Sequence, residues 1–575
     1  MKINLFSSVE ENKKFSWPDL FVMMIIFAIL FSVLKLGAGM RIPFSIIHHP
    51  TVTLDLGYLP YYAGRSLLRM FIAFMASLLF TFVYGRVAAF NKRAEKIMVP
   101  AIDILQSVPV LGFLSITVVG FMALFPGSLL GVECASIFAI FTGQVWNMTF
   151  SFYHSVSTIP RDLQEAAKIS KLGNWARFTK LEVPYSMLGI VWNSMMSFGG
   201  GWFFLAASES ITVLNQDISL PGIGSYMAAA VDTGNMFAIV YAIITMIIMI
   251  LVVDQLFWRP IVAWSQKFKN EQTEANEITT SWVYNIIRRA KFSQYILYTC
   301  KTYIYNWTVN ISSKKNRVKG PNKRVATFIP VMKWLLRIVI AILMIKYAYE
   351  GIIEISKLSV MGILKIMWLG FFTACRVFVA TILGMIWTFP VGVMIGFHPK
   401  LARVAQPIVQ IFASFPANMV FPFLTVFYIK YGINMEIGAI PFMMLGTQWY
   451  ILFNVIAGAM AIPSDLREAG KILRLTRFQT WKRLILPGVF PYLVTGGITA
   501  SGGAWNASIV SEIVSWKNHT IQASGLGSFI TQATTNGNWP EIICGIMVMA
   551  IFVVAVNRLF WKKLYMLAEK KYHIE

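Results

Sequence analysis

The sequence contains few charged residues. Asp, Glu, Lys and Arg make up only 13% of its 575 residues, whereas hydrophobic residues make up 57%. A soluble chain of this length carries far more charge, so a water-soluble globular protein is excluded. Residues 185–207 and 377–398 hold no charged residue at all, and each stretch reaches the roughly 20 residues that a helix needs to cross a bilayer. The composition therefore predicts an all-α, polytopic membrane protein.

Cysteine is scarce as well. The four cysteines are far apart and lack the spacing of a metal site or a disulfide framework, so we expect them to be small apolar side chains. We expect neither a metal nor another cofactor. The first 20 residues also lack the apolar core of a cleavable signal peptide, which predicts that the first span stays in the membrane as an anchor.

The long apolar stretches predict about twelve transmembrane helices, six in each half of the chain. They lie near residues 18–37, 66–89, 104–125, 128–153, 185–207 and 236–257, and near 329–349, 370–396, 404–430, 436–461, 488–510 and 540–560. The first and seventh are the weakest, since Lys35, Lys333 and Arg337 fall within them. Long basic side chains near a helix end can still extend to the membrane interface.

Acidic residues are few relative to basic ones: 26 against 50, a formal net charge of +24. The basic residues concentrate in segments that are cytoplasmic if the N-terminus is inside, such as 86–96, 168–180 and 259–330, whereas residues 208–235 hold none. This asymmetry predicts a cell (inner or plasma) membrane protein with both termini in the cytoplasm. A basic inner face attracts anionic lipid headgroups, so we expect no nucleic acid partner.

The chain contains an internal duplication. With a shift of 303 residues, the segment 159–168 (IPRDLQEAAK) aligns with 462–471 (IPSDLREAGK) without a gap. Upstream, the shift becomes 307 residues. Pairs that are identical at these shifts include Arg69 and Arg376, Ser107 and Ser414, Pro109 and Pro416, Trp202 and Trp505, and Glu209 and Glu512.

Each half has an even number of predicted spans, so the repeats are predicted to be parallel. Their symmetry axis then runs along the membrane normal, with a pathway between them. We divide the chain into a first repeat at 1–258, a basic cytoplasmic linker at 259–330 and a second repeat at 331–575. The middle of the linker, residues 282–307, is typical of an interfacial amphipathic helix.

A polar segment separates the fourth and fifth spans of each half, at 154–184 and 457–487. Pro160 and Pro463 favour the start of a helix, and apolar residues on one face with charges on the other predict a short helix along the membrane surface. Two equivalent elements on the inner side are typical of a docking site for a partner with matching twofold symmetry. The pattern alone leaves an ordinary cytoplasmic loop as the alternative.

These two segments resemble the cytoplasmic loop of permease subunits of binding-protein-dependent ATP-binding-cassette (ABC) importers. The signature of that loop is Glu-Ala-Ala, three residues, Gly, nine residues, and a hydrophobic-x-hydrophobic-Pro ending. Both segments match its spacing, from Glu165-Ala166-Ala167 to Pro184 and from Glu468-Ala469-Gly470 to Pro487. The sequence departs from the signature at its Gly, which is replaced by Lys171 in one half and Arg474 in the other.

The resemblance extends to other parts of both halves. Ser66 with Arg69, the segment Gln106-Ser107-Val108-Pro109, and a Glu followed by Gly-x-Gly at Glu209 and Glu512 are similar to the nitrate, sulfonate, taurine and bicarbonate branch of these permeases. The resemblance implies the type I importer permease fold, with two permease domains fused in one chain. It also implies that each Glu-Ala-Ala helix seats in a cleft of an ATPase subunit, and that a solute-binding protein delivers the substrate from outside.

Residues implied to couple the chain to two ATPase copies are Glu165, Ala166, Ala167, Pro184, Glu468, Ala469, Gly470 and Pro487. We do not expect the chain itself to be an enzyme, because ATP hydrolysis of the P-loop kind needs Gly-x-x-x-x-Gly-Lys-Ser/Thr. The only Gly-Lys pair is Gly470-Lys471, where Asp465 stands in place of the first Gly and Ile472 in place of the hydroxyl residue.

Several polar residues in or beside the spans are candidates for the pathway or its gate. Arg69 and Arg376 either line an anion path or snorkel and pack, and Glu209 and Glu512 either pair with them or contact the delivery protein. The other candidates are two prolines expected to bend a span, the serines before them, and two Trp residues in Gly-rich stretches that favour packing. These are Ser107, Pro109, Ser414, Pro416, Trp202 and Trp505.

The sequence thus predicts the permease component of an ATP-driven importer that moves a small solute by alternating access. The branch resemblance suggests a nitrate-, sulfonate- or bicarbonate-like anion. One alternative is a secondary transporter with parallel repeats, which would need coupling carboxylates inside its spans. Another is a membrane receptor or scaffold that does not transport, which would leave the repeated loop unexplained.

Overall fold

The computed structural model of the protein describes residues 17–44, 51–106, 109–213, 216–268, 281–290, 338–339, 342, 345–517 and 519–571. Almost all of these residues are helical, with two short β-hairpins among them. Within the described ranges, six helices are long and apolar enough to cross a membrane: Leu56–Phe90, Met236–Phe268, Val360–Phe397, Met435–Ala461, Arg477–Ser511 and Trp539–Ala568. The predicted all-α, polytopic fold class is confirmed.

The elements up to residue 290 run as follows. The α-helices are α1 (Trp17–Ala38), α2 (Leu59–Phe90), α3 (Lys92–Leu105), α4 (Leu114–Leu124), α5 (Leu130–Ser157), α6 (Arg161–Ile169), α7 (Asn174–Arg177), α8 (Val183–Ser208), α9 (Ile223–Thr233), α10 (Met236–Val253), α11 (Arg259–Ser265) and α12 (Trp282–Arg289). Strands β1 (Ser210–Val213) and β2 (Gln216–Ser219) form an antiparallel hairpin between α8 and α9, in which Ser210 pairs with Ser219.

The second half, from residue 360 onward, follows the same order. Its α-helices are α13 (Val360–Phe397), α14 (Pro399–Ser414), α15 (Phe421–Tyr431), α16 (Met435–Ala461), α17 (Ser464–Ile472), α18 (Arg477–Thr480), α19 (Leu486–Ser511), α20 (Leu526–Asn536), α21 (Trp539–Val556) and α22 (Lys562–Lys571). The hairpin of β3 (Ile513–Trp516) and β4 (His519–Gln522) lies between α19 and α20, and Ile513 pairs with Gln522.

Irregular features of the helices repeat along with the regular ones. A π-helical turn at Phe178–Glu182 has its counterpart at Trp481–Ile485, and another at Asp254–Trp258 has its counterpart at Asn557–Trp561. Both pairs, like the two hairpins and the helices α9 and α20, are related by a shift of 303 residues. The predicted internal duplication is therefore confirmed down to local distortions of the backbone.

The third predicted span of each half is two helices rather than one. Between α3 and α4 lie Pro109 and a 3-10 turn at Val110–Phe113, and between α14 and α15 lie Pro416 and a 3-10 turn at Ala417–Met419. Proline lacks an N–H and disfavours helical geometry in the residue before it, which explains the end of α14 at Ser414. Helix α3 ends earlier, at Leu105. The single spans predicted at 104–125 and 404–430 are corrected accordingly.

The chain divides into two compact units. One comprises Met1–Gly39, His154–Trp192 and Val252–Ile340, and within it α1 and α11 both contact α12. Helix α12 falls in the predicted amphipathic middle of the linker. The linker outside 259–268 and 281–290, and most of the predicted seventh span near 329–349, lie outside the described residues.

The other unit comprises Met40–Tyr153, Asn193–Leu251 and Ala341–Glu575. Helix α16 packs against α13 and α19 around a core that includes the buried side chains of Phe442, Met443 and Trp505. The two repeats also exchange contacts: β1 of the first repeat contacts α20 of the second, and β3 of the second contacts α9 of the first.

Candidate functional site

The first polar segment forms a short helix, a turn and a second helix that continues into the fifth span. Helix α6 follows Pro160 at its N-cap, α7 begins after Gly173, and the π-helical turn joins α7 to α8. Pro184 stands at the start of α8, and a π turn directly before it is a common irregularity where proline interrupts helical bonding. On α6, Glu165 and Ala166 are exposed, whereas Ala167 is buried.

The second polar segment has the same construction. Helix α17 leads to a turn, Thr476 and Gln479 form a capping box at the start of α18, and a π turn precedes α19, with Pro487 in the first turn of that helix. Glu468 is exposed, and Ala469 and Gly470 are half-buried. Each segment therefore presents its Glu outward on a short amphipathic helix.

The turn after each short helix keeps the backbone that a glycine would adopt. Lys171 has φ 48° and Arg474 has φ 49°, both in the left-handed region. In the first segment, the N–H of Leu172 donates to Ala167 O and the N–H of Lys171 to Lys168 O, at 3.1 and 2.9 Å, which is a Schellman motif. A left-handed residue with a side chain costs roughly 1–2 kcal/mol, so both repeats retain a basic residue despite backbone strain.

Gly470 is the position at which the second segment departs from Glu-Ala-Ala, and an alanine fits there. An added Cβ would lie 3.7 Å from Leu484 and 3.8 Å from Leu475, which are ordinary van der Waals distances. Because glycine destabilises a helix by about 0.5–1 kcal/mol relative to alanine, Gly470→Ala is expected to slow amide hydrogen exchange in α17 roughly two- to fivefold. Ala167→Gly should speed exchange in α6 by a similar factor. Unchanged exchange in both variants would contradict this account.

A buried ion-pair cluster occupies the first repeat, and we call it the Arg69 cluster. Arg69, Glu133 and Glu209 all have no exposed side-chain surface. Arg69 donates through Nε to Glu133 at 2.5 Å and through Nη1 to Glu209 at 2.6 Å. Arg65 donates to Glu133 as well, and Ser66 donates to Glu209 at 2.5 Å. Two arginines and two carboxylates thus neutralise one another inside the protein, as buried charges require.

The second repeat contains the equivalent Arg376 cluster. Arg376 donates through Nη1 to Glu512 at 2.9 Å, and through Nη2 to Glu436. Thr373, which corresponds to Ser66, donates to Glu512 at 2.8 Å. The backbone N–H of Ser524 donates to Glu436 at 2.8 Å. The cluster therefore fixes α13, α16, the end of α19 and the approach to α20 relative to one another.

In each cluster, one Glu also binds the N-terminus of a short helix. Glu209 accepts from the N–H of Gly224 at 2.7 Å, and Glu512 accepts from the N–H of Gly527 at 2.8 Å, so a carboxylate satisfies free N–H groups at the positive end of α9 and of α20. An added Cβ at Gly222 would lie 2.3 Å from the Glu209 carboxyl group. The Gly-x-Gly pattern after Glu209 thus reflects this close approach.

The two clusters differ in charge and in exposure. The position equivalent to Arg65 is Phe372, so the Arg376 cluster has one arginine for two carboxylates. The side chain of Glu436 is 42% exposed, whereas Glu133 is fully buried. An unbalanced carboxylate is tolerated where water reaches it.

Glu133 and Glu436 were not among the residues singled out from the sequence. A shift of 303 residues pairs the two glutamates, so the internal duplication could have identified them. Both, however, stand in or beside largely apolar spans. Arg69, Glu209, Arg376 and Glu512 were singled out, and the structure brings them together as two separate ion pairs.

A cavity of about 410 Å³ lies between the repeats and is lined by residues of both. The lining includes Gln106, Asn147 and Ser197 from the first repeat, and Tyr450, Asn506 and Asn557 from the second. No Asp, Glu, Lys, Arg or His is found among the described residues that line it. The cavity wall thus combines polar, aromatic and aliphatic side chains, with no charged side chain among the described residues that form it.

Two buried donors in the cavity wall lack a protein partner. Ser197 and Trp505 are 3% and 1% exposed, and Ser197 Oγ and Trp505 Nε1 have no hydrogen-bond partner among the described residues. Buried polar groups without a partner are costly, so each donor would gain a hydrogen bond if an acceptor reached it. Of the predicted pathway residues in the described chain, only Trp505 lines this cavity. Trp202 is buried and packs edge-on against Phe198 at 5.7 Å.

The broken third spans lie where the repeats meet. Pro109 precedes the turn whose first N–H, that of Val110, donates at 2.8 Å to Asn506 of the other repeat. Ser414 ends α14, with Pro416 just after it, and its Oγ lies 2.8 Å from the position of an added Cβ at Gly199. Ser107 lies outside the described residues. The prolines thus shape the contact between repeats, which periodicity in the sequence does not reveal.

One protein-family model matches the chain twice. The family is described as "Binding-protein-dependent transport system inner membrane component", and the matches cover residues 77–257 and 380–571. Together they span more than half of the chain, one in each repeat.

Individual relatives align over stretches that are shorter than one repeat. The chain is 26% identical over 185 residues to the nitrate import permease protein NrtB of Leptolyngbya laminosa, covering 32% of this chain and 62% of the relative. It is 29% identical over 168 residues to the bicarbonate transport system permease protein CmpB of Synechocystis sp., covering 29% and 56%. For the taurine transport system permease protein TauC of Escherichia coli, the identity is 23% over 176 residues, covering 31% and 60%. The alignments thus span about three fifths of each relative.

Proposed function

Because the chain belongs to the family of binding-protein-dependent transport system inner membrane components, we propose that it supplies both permease domains of an ATP-driven importer. The observation that carries the proposal is the cavity between the repeats, to which both contribute polar groups. A binding site at the interface of two parallel repeats is the arrangement expected for a transport pathway. Family members are membrane permease subunits rather than enzymes, and we place ATP hydrolysis in separate subunits.

The solute proposed for this cavity is small and carries hydrogen-bond acceptors. A volume of about 410 Å³ is at the lower end of small-molecule sites. The relatives are named for nitrate, bicarbonate and taurine transport, and a small, singly charged oxyanion presents acceptors to hydrogen-bond donors in the cavity wall. A doubly charged anion is disfavoured, because the cost of transferring an ion from water to an uncharged cavity rises with the square of its charge, about fourfold.

The proposed partners are two ATPase copies at the short helices α6 and α17, and a solute-binding protein on the opposite side. Both helices are amphipathic, and both present an exposed Glu on a segment that continues through a π turn into a long helix. A force applied to α6 or α17 is transmitted along that helix, since packed helices move as rigid bodies. In this proposal, the force alternates access to the cavity from the two sides, with both chain termini in the cytoplasm.

A cavity-filling substitution tests the proposed pathway. Gly502 lines the cavity, and no atom lies within 4 Å of an added Cβ there. Gly502→Phe is therefore expected to lower ATP-dependent solute uptake into proteoliposomes at least about tenfold, a barrier of about 1.4 kcal/mol, without lowering the thermal unfolding temperature. The vesicles contain the chain, its ATPases and the solute-binding protein.

The matched control is Gly120→Phe, because Gly120 is exposed on α4 and also has no neighbour within 4 Å of an added Cβ. Uptake should be unchanged in this variant. Equal uptake by the Gly502 and Gly120 variants would show that the cavity is not part of the transport pathway. Uptake that persists without the ATPases and follows an ion gradient would instead identify a secondary transporter.

A further inference from the structure

The segments from α6 to α7 and from α17 to α18 carry an exposed patch that repeats at four positions. Each patch, which we call a turn patch, consists of two exposed aliphatic residues, a basic residue with positive φ and an exposed aromatic residue. The first patch is Leu163, Ile169, Lys171 and Trp175, and the second is Leu466, Ile472, Arg474 and Phe478. All four pairs are related by the shift of 303 residues.

The apolar side chains of the turn patches are strongly exposed to solvent. Ile169 and Ile472 are 82% and 80% exposed, and Phe478 is 74% exposed. Large, strongly exposed apolar side chains on one short segment indicate a surface that a partner covers. Because the arrangement is the same in both repeats, the partner is expected to present the same apolar cleft twice.

The basic residue is the informative member of each turn patch. Glycine adopts a left-handed turn freely, whereas Lys171 and Arg474 adopt it with strain. Both side chains are exposed, so packing does not account for them. Both repeats therefore keep a positive charge at one defined point of the turn at a cost in stability.

We propose that Lys171 and Arg474 each form a salt bridge with a carboxylate at the rim of an ATPase cleft, and that these contacts select the cognate ATPase. The inference rests on the proposed function and adds the chemistry of the partner's surface to it. A lipid surface attracts basic side chains with little regard to backbone geometry, so it does not explain a strained residue at one position. A carboxylate beside an apolar cleft does, because charge pairs at an interface are specific to position.

The test measures ATPase binding to the full chain in nanodiscs of neutral lipid. Lys171→Gly and Arg474→Gly remove the charge while relieving the backbone strain. Each is expected to weaken binding about tenfold, and Lys171→Glu and Arg474→Glu more than that, with an effect that shrinks at high salt. The exchange Lys171→Arg should bind as the unchanged chain does.

The matched control is Lys482→Glu. Lys482 is exposed on the same segment as Arg474, but it lies in the π turn before α19 rather than in the left-handed turn after α17. It changes the net charge as Arg474→Glu does and is expected to leave binding unchanged. Equal binding by all variants would overturn the proposed salt bridges, and so would weakened binding that occurs only in nanodiscs with anionic lipid. If the unchanged chain binds no ATPase at all, the proposed function itself fails.

Discussion

Replacing Arg69 by Met is expected to destabilise the protein by about 3–5 kcal/mol and to lower its accumulation in the membrane. Arg69 is the ionic partner of Glu209 and one of two partners of Glu133, and all three side chains are fully buried. Removing it leaves the Glu209 carboxylate without a counter-charge where water does not reach. The measurement is thermal unfolding of the purified chain in detergent, together with its yield.

The second repeat supplies the matched control for this prediction. Arg376→Met should lower the stability of the fold by less, because Glu436 is 42% exposed and retains water as a partner. Adding Glu209→Gln to Arg69→Met should recover part of the loss, since a neutral amide leaves no buried charge. Equal, small losses for Arg69→Met and Arg376→Met would show that the Arg69 cluster does not stabilise the fold as its burial implies.

The fold was predictable because its signals are local in the sequence. Uncharged stretches of membrane length indicate spanning helices, and the shifts of 303 and 307 residues reveal the repeats. The exceptions are the third spans, where a break that contains Pro109 or Pro416 interrupts a helix that hydropathy alone continues. The two hairpins were also missed, since each strand has only four residues.

The ion-pair clusters were predictable in part. Arg69 and Glu209 stand out because charges near spans are rare and both recur in the second half. Glu133 recurs too, at Glu436, but its two arginine partners come from another helix, and no local pattern marks it. The loss of symmetry at Phe372 is visible in the sequence only after the structure shows that Arg65 belongs to the cluster.

The cavity lining was not predictable. Gln106, Ser197 and Asn506 are ordinary polar residues from separate parts of the chain, and only packing of the repeats brings them to one cavity. The difference between Trp202, which packs against Phe198, and Trp505, which lines the cavity, is likewise absent from the sequence, where both follow a stretch of small residues. Repeats that match in sequence thus differ in their surroundings.

Replacing Glu165 and Glu468 together by Ala is expected to reduce ATP-driven solute uptake to background while ATP hydrolysis continues. Both carboxylates are exposed on α6 and α17, so their loss should not destabilise the chain. In the proposed complex, each accepts charge-assisted hydrogen bonds from the ATPase cleft, and without these bonds closure of the cleft no longer pulls on α8 and α19. Uptake and phosphate release are measured in the same proteoliposomes.

The control for this experiment is Asp162→Asn with Asp465→Asn, which removes two other exposed carboxylates from the first turns of the same helices. This double variant should keep both uptake and hydrolysis, because the coupling contact depends on position rather than on total charge. If the Glu165 and Glu468 variant also keeps normal uptake per ATP, the short helices are not the coupling elements. The single variants are informative as well: since the two repeats would act together, either one alone is expected to lose more than half of the uptake.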